Sequence, residues 1–291
     1  MIKRLAVLGV GLIGGSLARA LRRRGYCETI VGYGRQVAEL EKARRLGVID
    51  TVATSVPEAV TGADMVVLAT PLGAFRSLFE AMNGHLAPDA VVTDVGSAKG
   101  CVVDTARSVF GEMPAYVVPG HPIAGTEHSG VEASFAELFA GRRVILTPTK
   151  ETAAAALGRV RAMWETADAI VDELTVEAHD QILAATSHLP HLLAYALVNT
   201  LVDLDETEAI FRFAAGGFRD FTRIASSDPI MWHDICFANR HALLSALDRY
   251  VEDLRQLRAS IERGDGESLK NSFARAKRAR DRFTFKGQAA E

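Results

Sequence analysis

The feature that most constrains the fold is a glycine pattern that follows an apolar run near the amino end. The run Ile2–Leu8 leads into Gly9, Gly11 and Gly14, with Leu12 and Ile13 between the second and third glycines. In a strand–turn–helix unit with this spacing, the glycines permit the tight turn, the close approach of a pyrophosphate, and close helix–strand packing. The sequence therefore predicts that Gly9, Gly11, Leu12, Ile13 and Gly14 bind a dinucleotide at a helix N-terminus.

The end of the second predicted strand, residues 29–33, indicates which dinucleotide binds. An NAD site usually has Asp or Glu here to accept the ribose 2′-hydroxyl, but this chain has Gly34, Arg35 and Gln36. Gly34 lacks the carboxylate that would repel a 2′-phosphate, and Arg35 can pair with that phosphate. We therefore expect NADP to be preferred over NAD, although Arg35 could instead be a solvated charge at a helix start.

The first 175 residues alternate β-rich runs with helical runs, such as 12–24 and 36–46. Several of the β-rich runs are apolar throughout, as in a parallel sheet covered on both faces. We therefore predict a doubly wound, Rossmann-type α/β domain over residues 1–175, with Thr70 and Pro71 beside the nicotinamide half of the cofactor. The predicted strands are 2–8, 29–33, 64–70, 90–95, 115–118, 143–147 and 169–174.

From residue 176 onward the pattern is helical, which predicts a second domain over residues 176–286. Residues 176–202 form a helical run that is apolar on most sides and contains Pro190, which should kink it. A helix apolar all round has to be buried, and a domain of this size offers few places to bury it. We therefore expect a homodimer formed through the helical domain. Residues 243–261 follow a second, amphipathic helical spacing, and 286–291 form a short tail.

Composition excludes several classes of protein. The formal net charge is -3 with 24% charged residues, which favours neither a nucleic-acid partner nor an anionic membrane. No apolar run reaches the roughly 20 residues that span a bilayer, and the strand predicted from residue 2 leaves no room for a signal peptide. The three scattered cysteines include no CxxC pair, which indicates reduced thiols, no metal site and a cytoplasmic protein.

A histidine in a glycine-rich segment, Gly120-His121-Pro122-Ile123-Ala124-Gly125, indicates the chemistry. Proline pushes the residue before it toward extended geometry, so His121 should end a strand. The segment 94–99, which contains Ser97, ends another strand at the same edge as the dinucleotide turn. His121 is a base at neutral pH, and Ser97 could bond either its imidazole or a substrate hydroxyl. This arrangement is typical of alcohol oxidation by hydride transfer.

The helical domain adds further polar groups, namely His179-Asp180, the segment Ser187-His188-Leu189-Pro190-His191, and the run 216–223. Ser187 and His191 share a helix face, whereas His188 points elsewhere. Arginine is the natural anchor for a substrate carboxylate. Spacing alone does not decide between Arg219 and Arg223 in this role.

Together these segments resemble the prephenate/arogenate (cyclohexadienyl) dehydrogenases of tyrosine biosynthesis. The resemblance runs over nearly the whole chain and includes the segments GVGLIGGSLA, DVGSAK, GHPIAGTEHSG, VILTP, SHLPH and GGFRDFTRIA followed by DPIMW. Members of this family transfer hydride from ring C4 to the nicotinamide while the ring carboxylate is lost and the product becomes aromatic. The resemblance implies a helical, dimeric carboxyl-terminal domain. Members that use NAD carry Asp where this chain has Gly34, which again favours NADP.

The resemblance also implies a role for each site residue. His121 would take the proton of the C4 hydroxyl, with Ser97 as its hydrogen-bonding partner, and Arg223 would hold a substrate carboxylate. The remaining residues expected at the substrate site or on its supporting interface are His191, Ser187, Glu127 at the pocket mouth, His179 and Asp180. The choice between prephenate and arogenate stays open.

Two alternatives remain at this point. Another NADP-dependent hydroxyacid dehydrogenase would usually carry a lysine base in its helical domain, and no lysine occurs from Thr175 to Ser268. A non-catalytic NADP-binding sensor would not need the set of Ser97, His121 and Arg223, because it has no proton to accept.

Overall fold

The structure, a computed structural model, describes residues 1–126, 128–204 and 207–282. By its contacts the chain divides into two compact units, Met1–Leu243 and Leu244–Glu291. The described strands are β1 (Ile2–Leu8), β2 (Cys27–Tyr33), β3 (Thr51–Val52), β4 (Met65–Leu68), β5 (Val91–Asp94), β6 (Val117–Val118), β7 (Gly120–Pro122), β8 (Arg143–Leu146) and β9 (Ile170–Glu173).

The described α-helices fall between and after these strands. They are α1 (Leu12–Arg23), α2 (Val37–Arg45), α3 (Val56–Val60), α4 (Phe75–Met82), α5 (Gly100–Phe110), α6 (Ala154–Thr166), α7 (Val176–Leu183), α8 (Leu189–Val202), α9 (Thr207–Arg212), α10 (Gly216–Thr222), α11 (Pro229–Ala238), α12 (Arg240–Glu262) and α13 (Gly266–Arg282). Two 3₁₀ turns, Leu72–Ala74 and Arg223–Ser226, and a π-helical turn, Ala184–His188, complete the helical structure described.

A six-stranded parallel sheet in the order β3-β2-β1-β4-β5-β6 forms the centre of the amino-terminal half. One core cluster packs α1 and α6 against it and contains Trp164, whereas a second packs α3, α4 and α5 and contains Phe79. Helices on both faces and a strand order that reverses between β1 and β4 define a doubly wound sheet. The predicted Rossmann-type fold is confirmed. In sheets of this kind ligands bind outside the carboxyl ends of the strands where the order reverses, which are β1 and β4 in this chain.

The strand that carries His121 differs from its prediction. Residue Pro119 has no N–H to continue the parallel ladder, and the chain leaves the six-stranded sheet after Val118. It then forms β7 in a separate three-stranded sheet, β7-β8-β9, in which His121 pairs with Ile145. His121 therefore lies in the middle of a short antiparallel strand. Sequence patterning missed β3 and β7 because two or three residues carry no periodicity.

Beyond Glu173 the described residues contain no strand, so the predicted helical carboxyl-terminal region is confirmed. The single kinked helix predicted over 176–202 consists of α7, the π turn and α8. Pro190 lies in the first turn of α8, directly after the π turn, so the irregularity falls in the turn that its missing N–H and its ring disturb. The domain boundary after residue 175 stays a prediction, and the predicted end of the second domain at 286 lies outside the described residues.

Among the described helices, none combines the length and apolar character needed to cross a membrane.

Candidate functional site

The turn between β1 and α1 depends on glycine at two positions. Gly9 has φ +105°, and a Cβ built there would lie 2.4 Å from the carbonyl oxygen of Ala69. A Cβ on Gly14 would lie 2.2 Å from the carbonyl oxygen of Gly9. The close approach brings the end of β4, with Thr70 and Pro71 directly after it, against the turn. The structure therefore places these two predicted residues beside the predicted dinucleotide site.

The same turn has the features needed to hold the pyrophosphate of a nicotinamide dinucleotide. Gly11 is the N-cap of α1 and supplies no side-chain cap, so N–H groups of the first turn stay available to a ligand. A Cβ built on Gly11 would meet nothing within 4 Å, which shows open space in front of those N–H groups. Backbone N–H groups and the positive end of the helix dipole favour an anion at this place. The residues present fit the cofactor.

The three residues after β2 lie where the sequence predicted them. Gly34 is half-buried, Arg35 is exposed, and Gln36 is the N-cap of α2. A Cβ on Gly34 would meet only Leu40, at ordinary contact distances of 3.6 and 3.9 Å. The position therefore has room for a side chain, and the missing carboxylate is not a steric requirement of the fold.

A buried ion pair joins the end of β5 to the start of β7. The Lys99 ammonium is completely buried and donates to the Asp94 carboxylate and, at 2.6 Å, to the carbonyl oxygen of Gly120. Asp94 also accepts the N–H of Gly96 at 2.8 Å and that of Gly120 at 3.2 Å. Because the pair bonds to the backbone of both Gly96 and Gly120, it holds the segment after β5 against the residue before His121.

His121 is the centre of the site. Its side chain is buried, and Nδ1 lies 2.9 Å from Nε2 of His179. Nδ1 of His179 in turn lies 2.8 Å from the Asp180 carboxylate. Among the described residues no hydrogen bond reaches Nε2 of His121, so this nitrogen is available to a substrate.

Asp180 ties helix α7 to the beginning of α5. Its two carboxylate oxygens accept the N–H groups of Lys99 and Gly100, both at 2.8 Å. Its main-chain carbonyl accepts from the Nδ2 amide of Asn239 at 2.8 Å. Although burial alone would raise the pKa of Asp180, hydrogen bonds from His179, Lys99 and Gly100 lower it, so Asp180 stays ionised at neutral pH.

Two more histidines lie on the helical side of the site. His188 is buried, and its Nδ1 accepts from Asn239 at 3.1 Å. His191 donates from Nδ1 to the carbonyl of Ser187 at 2.9 Å and stacks on Trp232 with ring centres 3.7 Å apart. This stacking fixes the imidazole plane of His191 and leaves its Nε2 as an acceptor or ligand contact.

Burial keeps the histidines of the site neutral. It lowers the pKa of His121 well below its ordinary value, and the positive charge of Lys99 and the neighbouring His179 and His188 lower it further. Burial lowers the pKa of His188 to about 4. For His191, burial lowers the pKa most, the Ser187 carbonyl opposes this, and the charge of Arg223 lowers it further. His121 is therefore a neutral base throughout the physiological pH range.

The remaining predicted residues are only partly brought together. Arg223 lies in the exposed 3₁₀ turn after α10 and acts electrostatically on His191, and Arg219 is exposed on α10. Ser97 is half-buried on the segment after β5, but among the described residues no hydrogen bond joins it to His121. Glu127 lies outside the described residues.

Sequence reasoning missed the residues that hold the site together. A sequence signal could have found Lys99 and Asp94, because opposite charges at the end of an apolar strand have to neutralise each other if they are buried. Asn239 and Trp232 gave no local signal. Their roles depend on the packing of α11 and on the residue that follows it against α7 and α8, which no periodicity reveals.

Two family models match the chain, and together they cover most of it. Residues 17–173 match the nucleotide-binding domain of prephenate dehydrogenase, and residues 175–275 match its dimerization domain. The chain belongs to the prephenate dehydrogenase family. The resemblance stated from the sequence is thereby confirmed, and with it the assignment to the oxidoreductases of tyrosine biosynthesis.

Individual relatives of this prephenate dehydrogenase family member agree. Cyclohexadienyl dehydrogenase from Zymomonas mobilis is 39% identical over 96% of both chains. The crystal structure of Aquifex aeolicus prephenate dehydrogenase with hydroxyphenyl propionate and NAD⁺ is 39% identical and covers 97% of this chain and 99% of its own, with a TM-score of 0.90. Synechocystis arogenate dehydrogenase is 30% identical, covers 97% of this chain and 100% of its own, and has a TM-score of 0.81.

The buried ion pair generates a prediction about stability. Lys99→Met should lower the free energy of unfolding by about 3–5 kcal/mol, because it leaves the Asp94 carboxylate buried without a countercharge. Urea denaturation followed by circular dichroism measures the change. The matched control is Lys150→Met, since the Lys150 side chain is 87% exposed and should change stability by less than about 0.5 kcal/mol.

The double variant Asp94→Asn/Lys99→Met should recover part of the loss, because no uncompensated charge remains. A loss below about 1 kcal/mol in Lys99→Met alone would contradict the role assigned to the pair.

Proposed function

We propose that this chain catalyses the oxidative decarboxylation of a cyclohexadienyl acid, prephenate or arogenate, with NADP⁺ as the preferred hydride acceptor. The observation that carries the proposal is His121, a buried neutral imidazole with Nδ1 engaged and Nε2 free. His121 directly follows Gly120, whose N–H donates to the Asp94 side chain at the end of β5. In the parallel sheet, β5 lies two strands from β1, which leads into the dinucleotide turn. A base at this edge serves the oxidation of a hydroxyl-bearing carbon.

The chain's own residues supply proton removal and orientation. As the substrate O–H bond at C4 breaks, its proton goes to Nε2 of His121 and the electron pair forms the new C–O π bond. Hydride leaves C4, and the bond to the ring carboxylate breaks with release of CO₂. The electron pair of that bond enters the ring, which becomes aromatic as the C–O π pair returns to the oxygen, and the phenolate oxygen takes the proton back from His121. A bound nicotinamide supplies the acceptor for that hydride. Aromatisation drives the reaction, so the protein has only to position C4 and accept one proton.

Arg223 is the proposed anchor for a substrate carboxylate, with His191 beside it. Its guanidinium acts electrostatically on His191, which supports a role for Arg223 close to that ring. Bidentate hydrogen bonds to a carboxylate would fix one end of the substrate. Ser187 supports His191 through its carbonyl. Ser97 is the proposed hydrogen-bonding partner of the reacting hydroxyl, and Glu127 is proposed for the pocket mouth.

The preference for NADP is proposed from Gly34 and Arg35. Gly34 brings no carboxylate to the end of β2, and the Arg35 side chain is exposed beside it, where a 2′-phosphate would meet it. The related Aquifex aeolicus structure contains NAD⁺, and the preference proposed for this chain depends on its own Gly34 and Arg35.

A homodimer through the helical domain is also proposed. The match to a dimerization domain supports it. Large apolar side chains of the helical region remain exposed in the single chain, including Val202 at 52%, Ile230 at 70% and Phe237 at 64%. Within the apolar run 176–202, Ile182 and Val202 are exposed in the single chain, and a second copy would cover such side chains.

His121→Asn tests the proposed reaction. With the base removed, kcat for prephenate or arogenate should fall by roughly 10²- to 10⁴-fold, whereas binding of substrate and nucleotide persists. Steady-state kinetics by reduced-nicotinamide absorbance and equilibrium binding measure the two effects. His85→Asn, an exposed histidine away from the site, is the control. Near-normal turnover by His121→Asn would overturn the assignment.

Arg223→Ala should act mainly on substrate affinity. Loss of charge-assisted hydrogen bonds worth about 1.5–3 kcal/mol should raise KM roughly 10- to 100-fold, with kcat changed only a few-fold. Arg219→Ala is the matched control because it removes the same charge one helical turn away. If KM rises in the Arg219 variant instead, the anchor is Arg219. An unchanged KM in Arg223→Ala contradicts its role.

Gly34→Asp should transfer the preference from NADP to NAD. The space beside Leu40 accepts the side chain, which would repel the 2′-phosphate and accept the ribose 2′-hydroxyl. The ratio of kcat/KM for NADP over NAD should fall by roughly 10- to 100-fold. Gly34→Asn fills the same space without charge and should move the ratio far less. A wild-type protein that used NAD more efficiently than NADP would contradict the proposal.

A further inference from the structure

Three side chains form a hydrogen-bonded series that begins at the proposed base. Nδ1 of His121 faces Nε2 of His179 at 2.9 Å, and Nδ1 of His179 faces Asp180 at 2.8 Å. A carboxylate only accepts hydrogen bonds, so Nδ1 of His179 carries a proton. Neutral His179 then accepts at Nε2, and Nδ1 of His121 has to be the donor. The order of the series leaves the lone pair of His121 on Nε2, the nitrogen without a partner among the described residues.

The series is fixed at its far end. Asp180 accepts two backbone N–H groups at the beginning of α5 in addition to His179. These hydrogen bonds and the positive end of the α5 dipole hold it as the carboxylate. His179 is completely buried and has both ring nitrogens occupied. Because both ring nitrogens of His179 and both carboxylate oxygens of Asp180 are already engaged, these residues act on His121 rather than on a substrate.

We propose that Asp180 and His179 are positioning residues that select the Nδ1–H tautomer of His121 and share the proton that it receives. This inference rests on the proposed function. When the substrate O–H proton reaches Nε2 of His121, the proton on Nδ1 can pass to Nε2 of His179. His179 is then an imidazolium beside the Asp180 carboxylate, and His121 is again neutral. No proton is created or lost, and Asp180 stays ionised.

The charges around His121 explain why a second site for the proton is useful. From the segment after β5, Lys99 opposes a positive imidazole, although Asp94 neutralises much of its charge. From the π turn, His188 also opposes a positive charge on His121. The carboxylate of the series, Asp180, contacts His179 rather than His121. The position best suited to positive charge is therefore one residue behind the base.

Asp180→Asn is the decisive variant. Its one amide oxygen can replace only one of the two carboxylate oxygens. With that oxygen facing Gly100, the amide nitrogen takes the place of the oxygen that faced Lys99 and His179, and it would donate to Nδ1 of His179. The series would then reverse and place the proton of His121 on Nε2. We expect kcat to fall by at least about 100-fold, since the equivalent change in the Ser-His-Asp triad costs about 10⁴. KM and nucleotide affinity should stay within a few-fold of the wild type, and Asp180→Glu should restore part of kcat.

Two further variants separate positioning from folding. His179→Gln keeps an acceptor for Nδ1–H of His121 but cannot carry the proton, so its kcat should lie between those of Asp180→Asn and the wild type. Thr175→Ala removes the N-cap of α7, whose hydroxyl accepts from Ala178 at 3.1 Å. It should lower stability by about 1 kcal/mol and leave kcat unchanged.

Side-chain ¹⁵N spectra of histidine-labelled protein give a readout that does not depend on turnover. In the wild type His121 should show protonated Nδ1 and unprotonated Nε2, and Asp180→Asn should exchange the two. A wild-type His121 protonated on Nε2, or an Asp180→Asn variant with wild-type kcat, would overturn the inference. A wild type that converts neither acid would refute the proposed function instead, while the spectra would still decide the tautomer.

Discussion

The site depends on one buried ion pair, between Lys99 and Asp94. A charge without a partner in this position would cost several kcal/mol, so the two residues and their backbone contacts have to form together. Through Gly96 and Gly120 the pair fixes both the segment after β5 and the start of β7. The position of His121 relative to the parallel sheet is a consequence of this neutralisation.

Asp180 connects the helical region to the segment that the ion pair fixes. Its carboxylate occupies the N–H groups at the beginning of α5, which the ion pair has already placed, and it also accepts from His179. The proposed base is consequently held from two sides, by a backbone contact through Gly120 and by a side-chain contact through His179. Burial of the whole assembly lowers the pKa of His121, so the base is neutral without help from an external acceptor.

Much of this arrangement could be predicted from the sequence. The glycine pattern and the apolar strands define the doubly wound sheet. Both ends of β1 agree with the prediction, because the strand runs directly into a turn that requires glycine. His121 was singled out by the chemistry of its segment, whereas Arg223 was singled out only by the family resemblance and its role stays a proposal. The second sheet, the π turn and the roles of Asn239 and Trp232 could not be predicted, because each depends on contacts between segments distant in sequence.

The most direct test of the account crosses prephenate and arogenate with NADP and NAD in one assay of reduced-nicotinamide absorbance. The account predicts formation of reduced cofactor with at least one of the two acids, and a higher kcat/KM with NADP than with NAD. Absence of a signal in all four combinations, with nucleotide binding shown separately, would contradict the assigned chemistry and leave only the fold.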